Sequence, residues 1–207
     1  MSVITAAVPP VFVSPPAAPT DGLWRLSVDN YHAMMEAGIL LDGDPVELLE
    51  GLLVEKMSKN PAHVLSSGLT RKSLERLAPA DWFVNAQDPI TTMDSEPEPD
   101  LSVVRGDPRR YKTRHPGPQD LALVVEVSDS TLQRDRTMKL RLYARAMIPI
   151  YWIVNLVEGR IEVYTDPTGP DEKPSYRQRR DYGPADEVPF IIEGRVIGRI
   201  AVRDLLP

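Results

Sequence analysis

The sequence predicts an α/β (α+β) domain in which helices flank a mixed central β-sheet. Two apolar segments of strand length, Leu121–Ser128 and Ile150–Val154, indicate buried strands. The order of segments is helix, hairpin, helix, strands, helix, strands, which favours a sheet with helices packed against it. The chain has 207 residues and 42% of them are hydrophobic, so it can bury a core of ordinary size.

The composition of the chain changes after its first twenty residues. Residues 1–20 contain several prolines and no charged side chain, which predicts a flexible or polyproline-like N-terminal arm. The remainder, residues 21–207, shows no internal repeat and is expected to form a single domain.

Composition also excludes or disfavours several classes of protein. The chain has no cysteine, so disulfides and thiolate metal sites are excluded. No apolar run approaches the ~18 residues of a membrane helix, and the first positive charge is Arg25, so a secretory signal is not expected. We therefore expect a soluble, cytoplasmic protein that does not engage a membrane.

The formal net charge of −6 counts against a broad nucleic-acid-binding surface. A local basic segment is the exception, since Arg105, Arg109, Arg110 and Lys112 lie close together with a single acidic residue among them. Such a loop can bind DNA phosphates. It can equally be a solvated loop that keeps the protein soluble.

Local signals mark several element boundaries. Ser27 can cap a first helix, Glu50-Gly51 is typical of a tight turn, and Asn60-Pro61 indicates the beginning of a second helix. The predicted helices run from Ser27 to about Ala37, from Pro61 to about Leu77 and over Leu132–Met147, and a short terminal helix lies near Val202–Leu206. The second of these helices is predicted to bury Val64, Gly68 and Leu69. The predicted strands are two short strands within Val46–Met57, followed by Trp82–Val84 (extending loosely toward Ile90), Asp100–Val104, Leu121–Ser128, Ile150–Val154, Ile161–Tyr164, Ser175–Arg179 and Val188–Ile192.

Lys139 lies within the apolar stripe of the predicted helix Leu132–Met147. At about 100° per residue, its face is otherwise apolar except for Asp135, one turn earlier. A buried lysine requires a partner or a function. The apolar residues of this face are Leu132, Leu140, Leu142, Tyr143, Ala146 and Met147, and Arg134, Arg141 and Arg145 lie on the opposite, solvent side.

Two carboxylates occupy similarly unusual positions. Glu126 is the only charge in the strand Leu121–Ser128, where alternation places it on one face with Ala122, Val124 and Ser128. Asp100 opens another strand directly after a proline. If the two strands pair, the carboxylates converge, and carboxylate oxygens are ligands that Mg²⁺ prefers. The pattern indicates a metal-dependent hydrolytic site in which a nearby ammonium offsets developing negative charge.

Each of these residues also has a purely structural interpretation. Asp100 could cap a turn, Glu126 could pair with an arginine, and Lys139 could extend along the helix surface or pair with Asp135. His63, near the beginning of the second helix, could contact a phosphate or a metal, or could be a surface or capping residue.

Three stretches of the chain together resemble the Uma family of predicted restriction endonucleases, within the PD-(D/E)XK nuclease superfamily. They are Val46–Glu55, with an early Glu-Leu…Gly hairpin, Glu98–Val104, which contains Pro99-Asp100, and Leu123–Thr131, followed by Asp135, Lys139, Tyr143-Ala144 and Tyr151–Val154. The resemblance covers residues 24–165 and implies a restriction-endonuclease-like core.

The resemblance implies a role for each matching position. The metal ligands would be Asp100, Glu126 and the Val127 carbonyl. Lys139 would be the catalytic lysine, and Glu47 would complete the acidic site.

The sequence departs from the superfamily at Ser128, because the superfamily pattern has a lysine two residues after the glutamate. The helix residue Lys139 would have to substitute for it. The implied activity is hydrolysis of DNA phosphodiester bonds with Mg²⁺ or Mn²⁺. Two alternatives stay open: a nuclease-fold module that has lost catalysis and serves in binding or assembly, and a metal-dependent phosphohydrolase that acts on small substrates.

A homodimer is also expected, because double-strand cleavage requires two sites that face opposite strands. The arm, residues 1–20, or the late strands near Val188–Ile192 would form the contact.

Overall fold

The computed structural model describes residues 22–207, so the predicted arm, residues 1–20, lies outside the described residues. The strands are β1 (Val46–Leu49), β2 (Leu52–Glu55), β3 (Trp82–Asn85), β4 (Leu101–Arg105), β5 (Leu121–Ser128), β6 (Ile150–Asn155), β7 (Arg160–Pro167), β8 (Tyr176–Tyr182), β9 (Glu187–Ile192) and β10 (Arg195–Ala201). The α-helices are α1 (Val28–Glu36), α2 (Pro61–Leu77), α3 (Leu132–Arg134) and α4 (Leu140–Arg145).

Six strands form the central sheet, in the order β3-β4-β5-β6-β7-β8. β5 and β6 run parallel, whereas the other neighbours in this sheet are antiparallel. A parallel pair needs a crossover connection, and the helical segment α3–α4 supplies it. The prediction of a mixed sheet with flanking helices is confirmed.

Apolar side chains cover both faces of this sheet, because every residue of β5 and β6 is buried. On one face, the residues of β5 and β6 pack with α2 and with the β9–β10 hairpin, in a cluster that includes Leu74, Val125, Trp152 and Phe190. On the other face they pack with α4, in a cluster that includes Val124, Tyr143, Tyr151 and Ile153. A strand at the centre of two cores contains few charges, and so Glu126 stands out in β5.

The β1–β2 hairpin turns at Glu50-Gly51, as predicted. Both residues have positive φ, 50° and 77°, which is typical of the tight turns that match the twist of paired strands. A Cβ on Gly51 would lie 2.7 Å from Arg25 Cβ and 2.9 Å from the Leu26 carbonyl, so the turn requires glycine for space as well as for conformation.

The second helix begins as predicted, with Asn60 as its N-cap and Pro61 in its first turn, but its predicted inward face is wrong. Val64 is 58% exposed and Gly68 is also exposed, while Leu69 is half-buried. The buried residues are Ser66, Ser67, Thr70 and Leu74. Small polar side chains fit here because the helix lies close to its neighbours, and Ser66 Oγ donates a hydrogen bond to the Leu205 carbonyl at 2.6 Å.

Other elements also differ from the predictions. β3 ends at Asn85, well before Ile90, because the chain turns at Gln87, which has a φ of 60°. The helix after β5 ends at Arg145, and Met147, with a φ of 62°, is 53% exposed. The strand β10 was not predicted. The terminal helix is reduced to a 3₁₀ turn at Val202–Asp204.

Ala122 also lies on the other face from the one predicted, because the pairing of β4 with β5 is irregular between Val103 and Val104. It packs with Val125 and Val127 instead of beside Glu126. Within residues 22–207, no helix is long and apolar enough to cross a membrane.

Candidate active site

Lys139 lies at the end of a π-helical turn, Asp135–Lys139, between α3 and α4. Such turns insert an extra residue into a helix and are frequent at functional sites. The residue is 6% exposed. Its Nζ donates to Glu126 Oε1 at 2.9 Å and lies 3.6 Å from Glu47 Oε1. The lysine is therefore buried, as its position in the apolar stripe predicted, but it pairs with glutamates of other elements and the helix is not uniformly α.

The Glu126 carboxylate is held from one side. It accepts hydrogen bonds at Oε1 from Lys139 Nζ and from the Tyr143 hydroxyl, the latter at 2.6 Å. Burial raises the pKa of Glu126 to about 8, against the opposing effect of Lys139, and the nearby carboxylates of Asp135, Asp100 and Glu47 raise it further. Both hydrogen bonds within the described chain engage Oε1, so Oε2 is the oxygen that a cation could bind.

The pKa of Lys139 is affected by two opposing causes. Burial alone would lower it, but the surrounding carboxylates, Glu126 first and then Glu47 and Asp135, raise it above its usual value. The side chain is thus held as an ammonium ion at the base of the cleft.

Asp100 directly precedes β4 and is 6% exposed. Its Oδ2 accepts a hydrogen bond from the Val127 backbone N–H at 2.8 Å and lies 3.1 Å from His63 Nε2. Its Oδ1 lies 4.0 Å from Lys59 Nζ. The antiparallel pairing of β4 with β5 brings Asp100 beside the end of the strand that contains Glu126.

Val127 was predicted to offer its carbonyl to a metal. In an extended strand the N–H and the C=O of one residue point to the same edge. Since the N–H of Val127 bonds to Asp100, its carbonyl is on the edge that faces Asp100.

Glu47 belongs to β1 and is 2% exposed. Its Oε2 accepts a hydrogen bond from the Glu98 backbone N–H at 3.1 Å, and this contact connects the hairpin to the segment just before Asp100. The hairpin is also bound to the helical segment, because Arg141 and Arg145 form ion pairs with Glu50. These arginines had been expected to face only solvent.

Sequence reasoning missed the partners that position these residues. Ser128 Oγ and Thr131 Oγ1 donate to Asp135 Oδ2 at 2.6 and 2.7 Å, and burial raises the pKa of Asp135. Ser128, which occupies the superfamily's lysine position, thus fixes the π-turn that carries Lys139. The sequence signal for this role of Ser128 was its position as a polar residue on the face of β5 that also carries Glu126.

All of the predicted catalytic and metal-binding residues, Glu47, Asp100, Glu126, Val127 and Lys139, line one cleft of about 770 Å³. A hard cation such as Mg²⁺ commonly uses one or two carboxylates together with water, and the oxygens of Asp100 and Glu126 fit that chemistry. Among residues 22–207, no three histidine, aspartate or glutamate side chains are grouped as ligands of one metal ion.

The predicted nucleic-acid-binding residues Arg105, Arg109, Arg110 and Lys112 are not among the residues that line this cleft. β4 separates Asp100 from Arg105 by about 16 Å, at ~3.3 Å per residue. Arg105 forms an ion pair with Glu193 and its guanidinium lies over the Trp82 ring. Instead, the basic residues of the cleft are Lys56, Lys59, His63, Arg134 and Lys139.

The fold and the acidic, lysine-containing cleft define a protein of the restriction-endonuclease-like class. The profile of the Uma2 family, described as "Putative restriction endonuclease", matches residues 28–190, and the chain belongs to this family. The fold is also similar to the crystal structure of "a putative nuclease belonging to DUF820" from Anabaena variabilis ATCC 29413. That comparison has a TM-score of 0.65 and 14% identity, and it covers 87% of this chain and 97% of the other. None of the curated proteins matches the chain.

Proposed function

We propose that the protein is a metal-dependent endonuclease that hydrolyses phosphodiester bonds of DNA. The family assignment supports a nuclease function. The observation that carries the proposal is the buried Lys139 ammonium, 2.9 Å from Glu126, in the same cleft as Asp100. Burial of a charged lysine at this position costs free energy. Contact with the phosphate of a substrate would give the buried lysine a function.

Asp100 and Glu126 would hold Mg²⁺ or Mn²⁺, with the Val127 carbonyl as a third ligand. When bound, the cation polarises the phosphoryl group and lowers the pKa of a bound water. Lys139 would orient the attacking water and offset negative charge on the phosphate. Glu47 would keep Lys139 in place, since it lies 3.6 Å from the ammonium on the side of the hairpin.

The DNA backbone would pass along the basic residues at the mouth of the cleft. Lys59 is 37% exposed and its Nζ lies 4.0 Å from Asp100 Oδ1, so its ammonium can pair with a phosphate that is bound next to the carboxylates. Arg134 also lines the cleft, where its Nη1 donates to the Glu55 carbonyl. Both line the cleft, whereas Arg109 and Arg110 do not.

A catalytically inactive binding or assembly module is the second candidate. It is favoured by the direct contact between Lys139 and Glu126, which satisfies both charges without a cation.

Incubation of the purified full chain with supercoiled plasmid distinguishes the two functions. The proposal predicts nicked or linear plasmid with Mg²⁺ or Mn²⁺, none with a chelator, and none with Glu126→Gln, which removes the charge but keeps the shape. Arg71→Gln, on the exposed surface of α2, is the matched control and should cleave as the natural chain does. DNA binding without cleavage in either metal would contradict the nuclease proposal and support the binding module.

A further inference from the structure

His63 connects the second helix to the acidic cleft. Its backbone N–H donates to the side chain of the N-cap Asn60 at 2.9 Å, so the residue lies in the first turn of α2, where the backbone is fixed. Its side chain is 13% exposed, and Nε2 lies 3.1 Å from Asp100 Oδ2. Of the alternatives that the sequence left open, a free surface histidine is therefore excluded.

The contact with His63 determines which oxygen of Asp100 faces the cleft. A carboxylate oxygen can only accept, so Nε2 is the nitrogen that carries the hydrogen. Asp100 Oδ2 thus receives two donors, the Val127 N–H and His63 Nε2. These two bonds fix the carboxylate from one side and leave Oδ1 directed toward Lys59 and the cleft.

Within residues 22–207, the contact with Asp100 is the one polar interaction that the His63 side chain makes. Nδ1 is buried and has no hydrogen-bond partner among residues 22–207. A ring placed only for stability would be expected to satisfy both of its nitrogens.

We propose that His63 is a positioning residue, which holds the Asp100 carboxylate so that Oδ1 is presented to a divalent cation. The inference rests on the proposed function, because it assigns a role toward the same metal. In this role His63 acts through Asp100 and would not itself bind the cation or the DNA. Residues that orient a metal ligand commonly change metal affinity by about 10–100-fold when they are replaced.

The chain provides a matched control for this inference. His32 Nε2 forms a similar contact with a buried carboxylate, at 2.9 Å from Glu96 Oε2, and neither residue lines the cleft. Removal of His32, whose side chain is 41% exposed, breaks a histidine–carboxylate pair outside the cleft and should leave the metal site unchanged.

Calorimetric titration of the full chain with Mn²⁺ tests the inference. His63→Ala should weaken binding by about 10–100-fold, and His32→Ala should not. His63→Gln should restore most of the affinity, because its amide nitrogen is as many bonds from Cα as Nε2. His63→Asn, with the same amide on a shorter side chain, should not restore it.

Two results would overturn the inference, and they are distinguishable. If Asp100→Asn weakens Mn²⁺ binding but His63→Ala and His63→Asn do not, the metal site stands and His63 has no positioning role. If the natural chain binds Mn²⁺ no better than Asp100→Asn does, the metal site itself fails and the role of His63 fails with it. Circular dichroism spectra show whether each variant is folded, and the Gln–Asn comparison decides the question even if the alanine variant unfolds.

Discussion

The Lys139 ammonium donates a hydrogen bond to Glu126 at 2.9 Å, although the two residues are 13 positions apart and belong to different elements. β5 holds the glutamate between two cores, and the π-turn carries the lysine back onto the same face of the sheet. The ammonium thereby lies beside Glu126, which shares its face of β5 with Ser128.

The first prediction concerns pH and metal binding. Burial raises the pKa of Glu126 to about 8, so below this pH a cation must displace a proton. The Mn²⁺ affinity of the natural chain should increase up to about tenfold per pH unit below pH 8 and become constant above it. Calorimetry from pH 6 to 9 measures this trend, and an affinity that is constant across that range would contradict the raised pKa.

The second prediction concerns the path of DNA. Replacement of Lys59 and Arg134 by alanine should weaken binding and reduce the slope of log affinity against log salt by about 0.9 for each phosphate contact that is lost. Replacement of Arg109, Arg110 and Lys112 should have the smaller effect, because these residues do not line the cleft. Fluorescence anisotropy with a Ca²⁺-loaded or metal-free chain measures both slopes. If the substitutions of Arg109, Arg110 and Lys112 had the larger effect on DNA binding, the DNA would lie on the loop that carries them.

The third prediction concerns assembly. The apolar side chains of the late strand, Val188, Phe190 and Ile192, are buried in the core of the chain, so they are not available for the contact that the sequence suggested. We expect the intact chain to be a dimer through its N-terminal arm, and the chain without residues 1–20 to be a monomer. Light scattering at micromolar concentration measures both masses. A monomeric intact chain would exclude the dimer, and a dimeric truncated chain would exclude the arm as the contact.

The fourth prediction concerns stability, at a site outside the cleft. Burial would raise the pKa of Glu162, but hydrogen bonds from Arg136, Tyr164 and Asn155 outweigh it and hold the pKa below its usual value of 4.5. A lowered acid pKa stabilises the fold above the unfolded value and loses this contribution as the pH falls through the folded pKa. Glu162→Gln should therefore lower the free energy of unfolding by about 2 kcal/mol at pH 7.

The same difference should shrink as the pH is lowered below 4.5, because Glu162 of the unfolded chain then takes up a proton, and at still lower pH Glu162 of the folded chain does so too. Urea denaturation at pH 7 and at pH 3.5 measures it. A difference that stays equal at both pH values would mean that the charge of Glu162 does not contribute. Glu75→Gln, whose ion pair with Arg71 is exposed, should be nearly neutral at either pH.

The sequence predicted the central elements of the fold because their signals are local. β5 and β6 are almost entirely apolar, and Asn60-Pro61 and Glu50-Gly51 have backbone preferences that few other pairs share. The inward face of α2 could not be predicted in this way. Its buried serines and threonine depend on how closely the helix approaches the β9–β10 hairpin, which is a property of tertiary packing.

The site was predictable to the extent that charges in apolar segments are unusual. Lys139, Glu126 and Asp100 were recognisable on this ground, and the structure places them in one cleft. The π-turn and the contacts of His63 and Tyr143 were not predictable, because they depend on which residues of separate elements meet. A periodicity of about 100° per residue assumes a regular helix, and so the prediction that Met147 is buried was wrong.

The central claim is that Lys139 acts on the phosphate substrate and does more than pair with Glu126. Lys139→Met removes the ammonium that competes for Glu126 but keeps a long apolar side chain. With Mn²⁺ at a saturating concentration, single-turnover cleavage of plasmid DNA by this variant should be slower than that by the natural chain by about 10²–10³-fold. Lys72→Met, at an exposed position of α2, should cleave normally. Cleavage by Lys139→Met at the rate of the natural chain, with Mn²⁺ bound, would contradict the account and reduce Lys139 to a structural ion-pair partner.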